Sequence, residues 1–312
     1  MPPIMGAGGF IMAELTGLPY SQIMLVAIFP ALMYFFSVFM MVHYHAKKHG
    51  IVGEKSEQSA SQIFKKSWYY VLPLVVITIL MLMGYSPGYS AILGIVTCIV
   101  VSWFRKDTRV DLRGFVSASR AGAEASLKIG ATVGVIGIII GVLTYSGLVL
   151  TFADIVIELA DGKLYLTILL IALASLILGM GVPVTAAYLI TAVVAVPALT
   201  HLGVNVLAAH MIVYWLSQDS NITPPVCIAA FAGATIAKAN MWATAWVAFK
   251  FAKFLYLAPF IFGYVPAFSL DGSSSDIAIT FVLVFVATWA YSWFLSGIWM
   301  DWFKKSKSPE AG

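Results

Sequence analysis

Two short stretches of this chain hold the residue types from which a cation or small-molecule site can be assembled. The first reads Gly179-Met180-Gly181-Val182-Pro183-Val184-Thr185 and the second Ser217-Gln218-Asp219-Ser220-Asn221-Ile222-Thr223-Pro224-Pro225. Each interrupts a long apolar run. Glycine loosens a helix and proline removes a backbone donor while clashing with the preceding turn, so both stretches predict unwound backbone. Bare carbonyls at membrane depth are tolerated where they line a protein-enclosed cavity or hold a ligand. A small hard cation wants several oxygens. The carbonyls of Gly179 and Ile222 with the hydroxyls of Thr185 and Thr223 offer such a set. Asp219 is an ionisable group beside an intramembrane break, which marks a functional position; the plainer alternative is a carboxylate at a water-filled vestibule with no ligand role.

Other chemistry-bearing residues read differently. Pro30 and Pro73 fit simple helix kinks, and His210 fits a packing histidine with a satisfied ring. Cys98 and Cys227 match no metal or disulfide spacing and read as two buried small hydrophobes. A membrane-embedded enzyme would need a paired acid, a Ser-His couple or a metal cluster at membrane depth. Asp219 stands alone there, and no His-x-x-x-His occurs within the spans. The absence of a Gly-x-x-x-x-Gly-Lys loop removes nucleotide hydrolysis by this chain as a reading. The expectation is therefore no enzyme and no cofactor.

These stretches must be positioned by membrane helices. The 312 residues are 61% hydrophobic and only 10% charged, against roughly 25% in a soluble domain. Long apolar runs without alternation select helices over a barrel. The net charge of +4 sits in short loops beside the spans and signals orientation rather than nucleic acid. Spans are expected at 22–42, 68–84, 90–104, 130–150, 254–268 and 277–300. Leu112, Phe115, Val116, Ala123 and Leu127 recur at helical spacing with charges opposite, predicting a surface amphipathic helix over 111–128, and 152–160 a short external helix. Runs of about 15 and 14 residues flank the first break, short for a span of about 20, so 164–199 reads as a re-entrant hairpin. Residues 204–237 form a broken helix. This topology puts every basic cluster and the tail Lys304-Lys305-Ser306-Lys307 in the cytoplasm. The opening Met1-Pro2-Pro3-Ile4 echoes Thr223-Pro224-Pro225-Val226 and runs the opposite way across the membrane, as an inverted repeat requires.

On Leu178-Gly179-Met180-Gly181-Val182-Pro183 through Pro197, and on Ser220-Asn221-Ile222-Thr223-Pro224-Pro225-Val226 through Ala234, the chain resembles the large permease subunit of the tripartite ATP-independent periplasmic (TRAP) transporters. The resemblance is to the fused-permease type that works with TAXI-family receptors. Met1 falls inside the opening motif, so it is to the C-terminal part of such a permease. It implies an all-α inverted-repeat elevator transporter with an incomplete first repeat, a sodium-coupled importer of small organic anions such as carboxylates. Implied partners are a periplasmic solute-binding receptor, a small membrane subunit or missing upstream permease segment, and the lipid bilayer of a bacterial or archaeal inner membrane. Carried over, Gly179, Gly181, Val182 and Thr185 map to the hairpin tip and Asn221, Ile222, Thr223 and Pro224 to the break, together holding one sodium ion. Asp219, Ser220, Asn221 and Thr185 would face substrate, and Pro2 and Pro3 would be the remnant of the first repeat's site. The implied parts are 1–44, the tail of the first repeat; 45–67, a cytoplasmic loop; 68–128, a scaffold helix pair with an amphipathic arm; 129–238, the second-repeat transport region; and 239–312, the last spans and basic tail. A truncated scaffold subunit that does not itself transport is the alternative.

Overall fold

The computed structural model describes residues 5–52, 59–105, 108–180 and 182–297. All regular structure among them is helical: α1 (Ala7–Thr16), α2 (Tyr20–Lys48), α3 (Ala60–Ser67), α4 (Leu72–Leu82), α5 (Pro87–Ser102), α6 (Leu112–Tyr145), α7 (Leu148–Leu159), α8 (Leu164–Leu178), α9 (Val184–His201), α10 (Val206–Leu216), α11 (Ile228–Ala237), α12 (Met241–Phe251), α13 (Lys253–Tyr264) and α14 (Ser274–Ser296). Among the described residues, α2, α9, the α12–α13 stretch and α14 are each long and apolar enough to cross a membrane. The protein is a polytopic helical membrane protein. Pro2, Pro3, Gly181, Trp299, Trp302 and the basic tail lie outside the described residues.

The chain divides into two compact units. One comprises Pro2–Leu25 and Gly53–Ile138. Within it α4 and α5 form an antiparallel pair, as the turn at Ser86-Pro87 predicts, and the Ser86 hydroxyl accepts the Tyr89 N–H at 3.3 Å to start α5. Gly94 makes the close approach possible: a Cβ there would lie 2.5 Å from Ile77 Cδ1. Tyr20, Met24 and Met81 form a small core against Ala13 and Ile77. Cys98 is exposed on this pair, where a buried residue was expected. Apolar context cannot separate a protein interior from a lipid-facing surface, because lipid tails are as apolar as a core.

The other unit comprises Val26–Val52 and Ile139–Gly312. Its centre is a hairpin of α8 and α9, with α10 packed on both, α13 on α8 and α10, and α7 on α8 and α9. Gly263 seats α13: a Cβ there would meet Ile168 Cδ1 at 3.0 Å and Leu164 Cδ2 at 3.5 Å. The α2 segment of this unit lies along α14, with the Phe29 and Phe281 rings stacked at 3.8 Å and the Ser37 hydroxyl bonded to that of Tyr291. Asn205 starts α10, its Oδ1 accepting the Leu207 N–H at 2.9 Å while its Nδ2 donates to Asp271 Oδ2 at 3.3 Å.

Two differences from the sequence reading have physical causes. The amphipathic stretch 111–128 and the following apolar stretch form one continuous 34-residue helix, α6. Its six glycines, Gly114, Gly122, Gly130, Gly134, Gly137 and Gly141, all avoid the left-handed region, so none of them ends the helix. The stop comes at Gly147, whose φ of 72° is left-handed. Second, α9 is 18 residues long rather than about 14, because Val184 and Thr185 already belong to its first turn and Thr200 and His201 to its last. Length alone therefore fails to mark its arm as shorter than a span.

Asn205→Ala removes both the α10 cap and the tether to Asp271. It is expected to cost about 1 kcal/mol, read as a lower thermal unfolding midpoint in detergent, with Asn205→Ser remaining close to the parent.

Candidate functional site

The two interruptions are real breaks. Helix α8 ends at Leu178, with the Gly179 N–H donating to the Ser175 carbonyl at 2.8 Å and the Met180 N–H to Ile177 at 3.2 Å. Pro183 then opens α9, its carbonyl accepting from Ala186 and Ala187 at 2.9 and 3.0 Å. Helix α10 ends at Leu216. A single 3-10 turn follows over Asp219–Asn221, and regular helix resumes only at Ile228. The Asp219 carbonyl takes the N–H groups of Ile222 and Thr223 at 3.1 and 2.8 Å.

Proline chemistry decides which carbonyls are left over. An α-helical carbonyl accepts from the N–H four residues on. For Gly179 that residue is Pro183, for Ser220 it is Pro224, and for Asn221 it is Pro225. None of the three has an N–H to give. These carbonyls are therefore released by the sequence itself, one at the hairpin tip and two at the break. The sequence reading took the carbonyls of Gly179 and Ile222; the missing donors single out those of Ser220 and Asn221 as well, two residues it had already placed in the site.

The tip and the break meet. A Cβ built on Gly179 would lie 3.0 Å from Ser220 Oγ, 3.1 Å from Ser220 Cβ and 2.9 Å from the Ser175 carbonyl oxygen. Only glycine allows Ser220 to sit this close. Asp219 and Ser220 are 3% and 4% exposed, so the break is buried in protein. Asp219 Oδ1 and Ser175 Oγ are buried with no hydrogen-bond partner among the described residues. Buried polar atoms are normally satisfied, and two such atoms flanking one contact call for a ligand or water.

The other predicted residues take separate places. Thr223 is buried at 9% exposure and its Oγ1 shares a hydrogen bond with Tyr256 OH at 2.6 Å, tying the break to α13. Asn221 is half-buried and donates from Nδ2 to the Gln218 carbonyl at 3.3 Å. Ile222 and Pro224 are half-buried beside it, and Val182 and Thr185 are half-buried at the tip. Among the described residues no hydrogen bond joins Val182 or Thr185 to the break. Cys227, at φ 45°, closes the break and packs with Ala230 and Ala245. His210 receives or donates a 2.8 Å bond between Nδ1 and Tyr188 OH, so it is a packing histidine as its context suggested. Sequence reasoning missed Ser175 and Tyr256. Both lie in unbroken apolar helices, where a lone hydroxyl carries no signal until its neighbours are known.

The electrostatics are lopsided. Between Lys163 and Lys238 the sequence has no lysine, arginine or glutamate, and its one aspartate is Asp219. Among the described residues no group of three or more His, Cys, Asp or Glu could hold a metal. What the arrangement offers is acceptors: one carboxylate, freed carbonyls and small hydroxyls. Such a set suits a hard monovalent cation or a donor-rich ligand group.

Gly179→Ala should force Ser220 away from the tip and cost about 1–3 kcal/mol. Gly233→Ala on α11, where nothing lies within 4 Å of an added Cβ, should be neutral or slightly stabilising. Thermal unfolding of the two variants in the same detergent checks the contrast.

No curated protein matches the chain. A family model described as the tripartite ATP-independent periplasmic transporter, DctM component, matches residues 1–268, a span that includes both breaks and all the helices of the site. With that match over most of its length, the chain belongs to the DctM family, the large membrane permease component of TRAP transporters.

Proposed function

We propose that this permease is a sodium-coupled, receptor-dependent importer of small organic anions such as carboxylates, of the type that works with TAXI-family receptors. In this reading α8 and α9 are the arms of a re-entrant hairpin, α10 and α11 are the halves of a broken helix, and the surrounding unit moves as an elevator against a scaffold. Cargo reaches it on a periplasmic solute-binding receptor, with a small membrane subunit as partner, in an inner membrane with the C-terminus cytoplasmic. The observation that carries the reading is the contact of Gly179 with Ser220. It sets the hairpin tip against the break, the two segments whose carbonyls lose a donor to proline, inside protein and beside Asp219, whose Oδ1 has no partner among the described residues. Carbonyls unwound at half-helix ends are the usual coordination for coupling cations in secondary transporters. Thr223, held by Tyr256, and Thr185 add hydroxyl oxygens, while Gly181 and Val182 continue the tip and Asn221, Ile222 and Pro224 continue the break.

Sodium chloride should raise the thermal midpoint of the purified chain in a saturable way, and equimolar potassium or choline chloride should not. Thr185→Ala should weaken the sodium response severalfold with little change in the sodium-free midpoint, and Thr223→Ala should weaken it while also lowering the sodium-free midpoint, because it leaves the Tyr256 hydroxyl unpaired. A response equal for sodium and choline, or unchanged in both variants, would remove the sodium site.

A further inference from the structure

The last turns of α2 and α12, both in the unit of Val26–Val52 and Ile139–Gly312, bring basic side chains to one place. On α2, His45, Lys48 and His49 are neighbours on the helix surface, three and four residues apart. The His45 ring meets Phe251, at the end of α12, with centroids 5.4 Å apart and planes at 68°. It also lies beside the His49 ring, 4.2 Å from centroid to centroid. The charges of His49, Lys250 and Lys48 are all felt at His45. Lys48, His49 and Lys250 are exposed and His45 is half-buried.

Each helix accounts for its own cations but not for their meeting. Positive side chains in a last turn are favoured by the helix dipole, and His49 Nδ1 donates to the His45 carbonyl at 2.9 Å, serving the end of α2. Orientation in a membrane asks only that lysines flank a span. Neither rule brings Lys250 of one helix against His45 and Lys48 of another, where like charges repel. Among the described residues no acid pairs with any of the four; the ion pairs there are Arg120 with Glu124 and Lys163 with Asp161. An anion among the four offsets the repulsion. The Lys48 and Lys250 ammonium groups are donors for it, and His49, with Nδ1 committed to the carbonyl, adds an Nε2–H when protonated.

The border of the cluster says which anion. On α2, Val42 stands one turn before His45 and Phe39 one turn before Val42, and both are exposed. On α12, Trp246 and Val247 stand one turn before Lys250, and both are exposed. A soluble anion has no use for this apolar surface. Cations at its edge, at the end of a helix long and apolar enough to cross a membrane, match a phospholipid, with its phosphate on the basic groups and an acyl chain along the apolar side chains. We propose that His45, Lys48, His49 and Lys250 form a binding site for the headgroup of an anionic phospholipid. The site uses none of the residues of the two breaks and does not depend on the sodium reading.

The purified chain in detergent is titrated with phosphatidylglycerol or with phosphatidylcholine of the same acyl chains. The thermal midpoint is followed, and native mass spectrometry counts the lipids retained. Phosphatidylglycerol should raise the midpoint saturably and bind at least about tenfold more tightly than phosphatidylcholine, each lysine near an anionic headgroup contributing roughly a fivefold gain. Lys48→Gln combined with Lys250→Gln should abolish the preference and leave the lipid-free midpoint near the parent's, since both side chains are exposed. Lys48→Arg with Lys250→Arg should keep the preference, which covers a glutamine variant that does not fold. Lys65→Gln with Lys238→Gln removes the same charge from exposed positions outside the cluster and should also keep it. The inference is overturned if phosphatidylcholine stabilises equally, if the cluster variant retains the preference, or if the Lys65 and Lys238 variant loses it as fully. It is also overturned if inorganic phosphate at matched concentration protects as well, since the site would then serve a soluble anion. The same holds if a lipid effect appears only after Glu54→Gln and Glu57→Gln, the acids that follow α2 in the sequence, since the cluster would then be their counter-charge.

Discussion

Every backbone amide placed in an apolar medium needs a partner, and proline cannot supply one. That constraint organises the unit that holds both breaks. Pro183, Pro224 and Pro225 each withdraw a donor from a carbonyl four residues earlier, and the three carbonyls so released belong to the two segments that the fold presses together. Elsewhere the same rule is met by ordinary means. Asn205, Asn240 and Ser273 each cap a helix through a side-chain oxygen, and Gly147 and Gly297 end helices in the left-handed region.

Small side chains turn this local chemistry into geometry. Gly179 admits Ser220, and Gly263 admits Ile168 and Leu164 so that α13 can reach α8. Seated there, α13 presents Tyr256 to Thr223 and anchors the C-terminal side of the break, while Asp219 on its N-terminal side is held by its own 3-10 turn. The break is thus fixed at both ends around a buried polar middle.

Much of this was legible in the sequence. The membrane class followed from composition, the α4–α5 pair from the Ser86-Pro87 turn, and both breaks from their glycines and prolines, because such residues act on their own backbone and need no tertiary context. Less visible was anything decided by neighbours. The continuity of α6 depended on its six glycines keeping out of the left-handed region, which a glycine permits but does not dictate. The exposure of Cys98 depended on which face of α5 meets α4. Ser175 and Tyr256 lie in runs whose periodicity says only that they are helical. The contact of Gly179 with Ser220 joins residues 41 positions apart, and no spacing rule reaches that far.

The emptiness of residues 164–237 in formal charge has an electrical consequence. A membrane voltage does work on whatever charge moves through it, about 2.3 kcal/mol per elementary charge per 100 mV. Helices bearing several lysines or arginines would be pinned or driven by that field. In the elevator proposed above, residues 164–237 would carry one carboxyl group of the protein through that field, so the voltage would act on this stretch mainly through what it binds. Among the lysines, arginines and acids of the chain, Asp219 is the one that falls within that stretch.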